Sequence, residues 1–256
     1  MMGVTHATSG AAVWIATTGL LPLLSTGIHP LPASTVLAGS IVAAGAALLP
    51  DIDHHSATIA HSVPVLGRLV AGAAGTLSGG HRHGFHAPVV LVGVWFLFSW
   101  LSTWNWELPG GRTVAAGVGL TALALCCFGM KARGYVSTWP RSWLIGALFA
   151  VTVLLMTPEG EGSQWLPLAV TLGYATHLVG DVLTTGGLPV LGPLVVKPPR
   201  WWRGIPVLSD VWKSNGYVAV PLLGDAGSLR EKLLGAVMTT YVGYGTLAEC
   251  WRLLGL

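Results

Sequence analysis

Charge is what this sequence has least of. Of its 256 residues only 9% are Asp, Glu, Lys or Arg, against roughly 25% in an ordinary soluble domain. Hydrophobic residues make up 52%, and mean hydropathy is +0.67. So few charges cannot cover the surface of a 26.6 kDa soluble globule. The same composition excludes a disordered chain, and with a net charge of only +3 it argues against nucleic acid as a partner. Cysteine is scarce too. Cys126 and Cys127 lie in an apolar run, Cys250 is near the end, and no C-x-x-C pair occurs. Neither a thiolate zinc site nor a disulfide framework is indicated. The sequence also has no P-loop, no dinucleotide fingerprint and no G-x-S-x-G elbow, which removes the nucleotide-binding and serine-hydrolase motifs. What is plentiful is glycine, with 35 residues, and tryptophan, with 12. Small residues let helices approach closely in lipid, and tryptophan anchors helix ends at the bilayer interface. The expected fold class is all-α, a polytopic membrane helical bundle with the lipid bilayer as its surroundings.

A helix needs about 20 apolar residues to cross the hydrocarbon core. Six stretches qualify or come close: 11–28, 34–49, 87–104, 114–130, 142–157 and 165–185. A seventh, 233–254, is interrupted by Thr239, Thr240, Glu249 and Arg252, so it either spans or lies along the interface. The first span lacks a preceding basic residue and an A-x-A site, which argues against a cleaved signal peptide. With six spans, the loops at 50–86 and 131–141 and the segment after 185 share the N-terminal side. They carry Arg68, Arg82, Lys131, Arg133, Arg141, Lys197, Arg200, Arg203 and Lys213, whereas the opposite side has Arg112 alone. The positive-inside rule makes the N-terminal side cytoplasmic. The chain divides into a transmembrane helical domain, 1–196, and a cytoplasmic or interfacial tail, 197–256, whose Lys197–Arg203 stretch suits anionic headgroups.

In such a chain the informative residues are the ones that are costly in lipid. His6 precedes the first span. Asp51, Asp53 and His54 end the second, in Leu-Leu-Pro-Asp-Ile-Asp-His. The following loop holds Gly80-His81-Arg82 and then His86, and the sixth span carries His177 and Asp181. On the six-span topology all of them lie at the cytoplasmic end. Each group has a plain structural reading. Asp51 and Asp53 suit a helix cap, the loop histidines a solvated turn, and His177 with Asp181 an interhelical hydrogen bond. Together they read as a metal site facing the cytoplasm. His177 and Asp181 are four apart and share one helix face. Imidazole with carboxylate and no thiolate suits a divalent cation, zinc first and manganese or iron next. The donors exceed one tetrahedral site, so one or two ions are expected. The metal ligands expected are His6, Asp51, Asp53, His54, His81, His86, His177 and Asp181. Asp53 doubles as a general base, and Arg82 is the group that would hold a phosphate or oxyanion.

These motifs resemble those of the YdjM-like family of bacterial inner-membrane metal-dependent hydrolases, and more distantly zinc-dependent phospholipase C and P1-type nuclease. The matching pieces are His6, the Leu48–His54 string, Gly80-His81-Arg82 with His86, and Gly173–Asp181 followed by Thr184, Gly187 and Pro189. Gly227–Glu231 matches more weakly and also reads as a capping box. Phe85 and Ala87 stand where the family's third motif has Thr and Ser. The resemblance implies an inner-membrane location and a metal-dependent hydrolase acting on a phosphoester substrate, a phospholipid among the candidates. The alternatives are an ion- or proton-coupled transporter and a catalytically silent membrane scaffold.

Overall fold

The computed structural model describes residues 1–20, 27–54, 61–62, 66–78, 83–156, 163–192 and 194–255. The chain is mostly helical. Helix α1 (Gly3–Thr18) is followed by α2 (Ala33–Ala46), which runs into a 3-10 turn at Pro50–Asp53. Next come α3 (Leu66–Ser78), a second 3-10 turn at Gly84–His86, and α4 (Val90–Ser102). A two-stranded hairpin pairs β1 (Trp106–Glu107) antiparallel with β2 (Thr113–Val114). Helices α5 (Ala116–Ala132), α6 (Trp139–Met156) and α7 (Trp165–Val182) complete the main body. The short α8 (Arg200–Arg203) and α9 (Pro206–Val211) lead to the long α10 (Leu229–Leu253).

Among the described residues two stretches are long and apolar enough to cross a membrane, Ala33–Asp53 and Trp139–Met156, while Val90–Ser102 and Ala116–Ala132 are apolar but shorter. The expected count of six spans therefore does not follow from helix length alone. At 1.5 Å per residue, the 13 residues of α4 reach about 20 Å of a core about 30 Å thick. Where the side chains point is more telling. The outward stripe of α6 is Leu144, Leu148, Val151 and Leu155, each more than half exposed, and α4 shows Phe96 and Trp100 in the same way. In water those positions would be charged.

Helix α1 begins earlier than its apolar run, at Gly3 rather than near residue 11. His6 therefore lies within the first helix and not ahead of it. Its polar neighbours had hidden this, but inside the helix their hydroxyls are satisfied locally. Thr8 donates to the Val4 carbonyl and Ser9 to the His6 carbonyl, each at 2.8 Å. The interrupted segment at 233–254 is one continuous helix. Helix α10 turns Glu231 and Glu249 inward and Leu233, Val237, Leu247 and Trp251 outward.

Helix α2 is the centre of the bundle, packed by α1, α5, α7 and α10. Its own surface is mostly small: Gly39, Ala43, Gly45, Ala46 and Ala47 are all buried. Backbones meet there more closely than side chains would allow. A methyl group on Gly10 of α1 or Gly173 of α7 would collide with the Ala43 carbonyl, and one on Gly45 would collide with the Leu125 carbonyl of α5. This close approach of small residues is how helices gain packing in lipid. It also sets α1, α2 and α7 side by side, with the start of α1 and the ends of α2 and α7 together. The segment between α7 and α10 folds back on the same end, with Val220 N donating to the Val182 carbonyl and Leu223 N to the Leu183 carbonyl.

Candidate metal centre

Four segments deliver ionisable side chains to this end. His6 comes from the first turn of α1, and Asp51 and Asp53 from the turn that closes α2. His86 comes from the turn before α4, and His177 and Asp181 from the last turns of α7. His6, His86, His177 and Asp181 are each at most 1% exposed. Asp51 keeps 28% of its side chain accessible and marks the open side.

The local scaffolding explains how the rings are aimed. His177 Nδ1 lies 2.7 Å from the Ala47 carbonyl. A carbonyl only accepts, so that nitrogen carries the proton and the lone pair of Nε2 faces the cluster. His86 is set by its neighbour Phe85, whose carbonyl accepts a hydrogen bond from the Tyr174 hydroxyl. Tyr174 lies one turn before His177 on α7, so one helix positions both imidazoles. Behind His86, Asp53 Oδ2 lies 3.7 Å from Nδ1 and itself accepts from Ser78 Oγ at 3.3 Å. His6 stacks on His177, with ring centroids 3.7 Å apart.

Four atoms converge in front of these supports. His86 Nε2 and His177 Nε2 are 3.3 Å apart. Asp51 Oδ1 lies 3.5 Å from the first and 3.6 Å from the second. Asp181 Oδ2 lies 3.7 Å from each. These separations are too long for good hydrogen bonds, which run about 2.7–3.2 Å. Donor atoms around a tetrahedral cation bound at about 2.0–2.2 Å lie roughly 3.3–3.6 Å apart, close to the separations among Asp51, His86 and His177, which lie within ligand range of one another. The donor set of two imidazoles and two carboxylates fits zinc, manganese or iron. Burial works against charge on His86, but the carboxylates of Asp51 and then Asp53 outweigh it and hold its pKa up at about 9. A cation between the carboxylates would replace that proton.

A second set brings His6, His177 and Asp181 within ligand range of one another. It shares His177 with the first set. Since His177 Nδ1 is committed to Ala47, both sets would draw on the same Nε2. Asp181 divides its oxygens between them: Oδ2 faces the two imidazoles, while Oδ1 accepts from the Met1 amine at 2.7 Å and lies 3.4 Å from His6 Nε2. His6 Nδ1 is buried and has no hydrogen-bond partner among the described residues.

The chain matches the model of the YdjM inner membrane protein family over residues 1–251. It belongs to that family. No curated protein and no solved structure matches it. The family match establishes an inner membrane protein, and the site stands on its own geometry.

Of the residues expected to bind metal, His6, Asp51, His86, His177 and Asp181 are brought together. Asp53 belongs to neither ligand set. Its side chain is fully buried beside the far nitrogen of His86, Oδ2 lying 3.7 Å from Nδ1. His54 ends the 3-10 turn and belongs to neither ligand set. His81 and Arg82 lie outside the described residues. Ala87 is buried against Gly192 of the returning segment, so this small residue accommodates close packing. Three supports were not anticipated: Tyr174, the Ala47 carbonyl and Ser78. Tyr174 carried a signal, being a polar ring one turn from His177 on the same face; a backbone carbonyl carries none. Ser228 caps α10 by accepting from Glu231 N at 3.2 Å, as a capping box requires. The Glu231 carboxylate, however, turns to the amides of Met2 and Gly227.

Proposed function

We propose that this protein is a membrane-embedded, metal-dependent hydrolase acting on a phosphoester, with phospholipid among its substrates, at the cytoplasmic face of the inner membrane. The observation that carries the reading is the mutual ligand-range approach of Asp51, His86 and His177 from three separate chain segments, with Asp181 Oδ2 3.7 Å from both imidazole nitrogens. Asp51, His86, His177 and Asp181 would hold one divalent cation, zinc first. A single ion is preferred over two because the two ligand sets compete for one nitrogen of His177. A divalent cation held there supplies Lewis acidity and lowers the pKa of a water to near ~7. The chain's own residues do the rest. The Ala47 carbonyl and Asp53 fix the two imidazoles in ligand orientation, and buried α7 excludes water from behind. Asp51, at the solvent edge, faces the substrate's approach and can accept a proton there. Arg82 is assigned the phosphate on sequence grounds. The six-span topology with a cytoplasmic N-terminus rests on the one-sided distribution of Lys and Arg and on the outward apolar stripes.

The test is elemental analysis of detergent-purified protein, coupled to turnover assays on phosphodiester, phosphomonoester and phospholipid substrates. About one tightly held divalent ion per chain is expected, with turnover that chelation abolishes and metal restores. Protein that binds no divalent metal and turns over no phosphoester would remove this reading.

A further inference from the structure

A groove of 710 Å³ runs along the bundle away from the metal centre. Its floor is the one half-open face of α2, formed by Leu37, Ala38, Ile41 and Ala44. Phe149 and Met156 of α6 stand on one side, and Val242 and Leu247 of α10 on the other. Its volume is within the roughly 300–1,000 Å³ of sites that enclose a small ligand. Along α2 the lining runs from Ser34 to Ala44, about 15 Å at 1.5 Å per residue. The lining reaches both ends of the bundle, with Ser34, Met156 and Trp165 at one and Arg133 at the other.

One charged side chain lines the groove among the described residues. Arg133 stands at its mouth, at the end of α5. Its Nη1 donates to Thr8 Oγ1 at 2.7 Å, and Nη2 donates to the Tyr135 hydroxyl at 3.0 Å. Among the described residues no carboxylate pairs with it. A half-buried guanidinium held only by neutral hydroxyls retains its charge for an anion, and its planar fork suits a phosphate. A mostly apolar trough with a guanidinium and two hydroxyls at one end offers an apolar bed for an acyl chain and a cation for a phosphate.

We propose that this groove binds one phospholipid of the surrounding bilayer, an acyl chain laid on α2 and the phosphate met by Arg133. The site is separate from the metal centre. His6 faces α7, whereas Thr8, two residues on, faces Arg133, and none of the clustered ligands lines the groove. The bound lipid is therefore a resident component and not the substrate proposed above, so either reading can fail without the other.

The experiment uses the full chain, delipidated in detergent and titrated with palmitoyl-oleoyl phosphatidylglycerol under native mass spectrometry. One lipid per chain should survive at collision energies that strip further lipids. Arg133→Gln should weaken retention about tenfold through loss of charge-assisted hydrogen bonds. Ala38→Phe, which fills the floor, should abolish retention, and Thr152→Trp on α6 provides a second filled variant if the first does not fold. Metal content should stay unchanged in all three. Absence of a retained lipid in the parent protein would overturn the proposal, as would equal retention in parent and filled variants. Loss on filling with no effect of Arg133→Gln would overturn it as well, since the headgroup would then not be recognised. A lipid-free dimer whose formation the filled variants block would assign the groove to a second copy instead.

Discussion

Two groups of acids in this bundle hold their carboxylates differently. Glu231 and Glu249 on α10 are both fully buried, and each is satisfied by donors. Glu231 accepts from Met2 N at 2.6 Å and from Gly227 N at 2.7 Å. Glu249 accepts from Leu20 N at 3.2 Å and from the Arg252 guanidinium. Asp51 and Asp181 instead point an oxygen at two imidazole nitrogens, 3.5–3.7 Å away. The first pair is closed and needs nothing more, because the cost of burying charge is offset by hydrogen bonds already made. In the second, Asp181 Oδ1 accepts from the Met1 amine, while its Oδ2 and Asp51 Oδ1 approach imidazole nitrogens at distances beyond a good hydrogen bond, the spacing a metal-ligand set would have.

If that distinction is sound, substitutions in the two groups should separate metal content from stability. The largest effect belongs to His177→Ala and Asp181→Ala, each of which should bring bound divalent metal from about one ion per chain to near zero by elemental analysis. Removing the ion from the parent protein with a chelator should lower thermal stability by about 2.7 kcal/mol if free metal had stood at about a hundred times its dissociation constant. The two ligand variants should show no such response. Glu231→Ala should do the reverse, costing about 3 kcal/mol for two charge-assisted hydrogen bonds, measured as a fall in unfolding midpoint, while metal stoichiometry is retained. Asp53→Asn tests the boundary between the groups. As an orienting residue it should weaken metal affinity about 10–100-fold without eliminating binding, and complete loss would make Asp53 a direct ligand. At the far end, Arg252→Ala should cost about 3 kcal/mol, because the fully buried Glu249 loses its partner charge, and leave metal binding unchanged.

Much of this was visible along the chain. The scarcity of charge marks a membrane protein, and the apolar runs near 34–49, 114–130, 142–157 and 165–185 coincide with helices α2, α5, α6 and α7. His177 and Asp181 stand out because four residues is one helical turn and both are costly in lipid. The segment 233–254 stayed ambiguous because Glu249 and Arg252 lower its hydropathy. Inside the bundle they pair with each other and Glu249 is fully buried, and an average over the window cannot register that. His6 was placed outside the first helix for the same reason, since Thr5, Thr8 and Ser9 count as polar whether or not their hydroxyls are satisfied. Helix α3, which brings Ser78 to Asp53, was not anticipated.

The amino-acid order alone determined that the chain belongs in a bilayer, where its main helices lie, and which few residues are too expensive to be there by accident. It did so because hydropathy and helical spacing are local properties. Only the folded chain decided that Asp51 faces the cluster while Asp53, two residues on, stands behind His86, and that His177 offers one nitrogen rather than two. Those outcomes depend on backbones meeting at Gly10, Gly45 and Gly173 and on a carbonyl at Ala47, and groups brought together by packing leave no periodic trace in the order of residues.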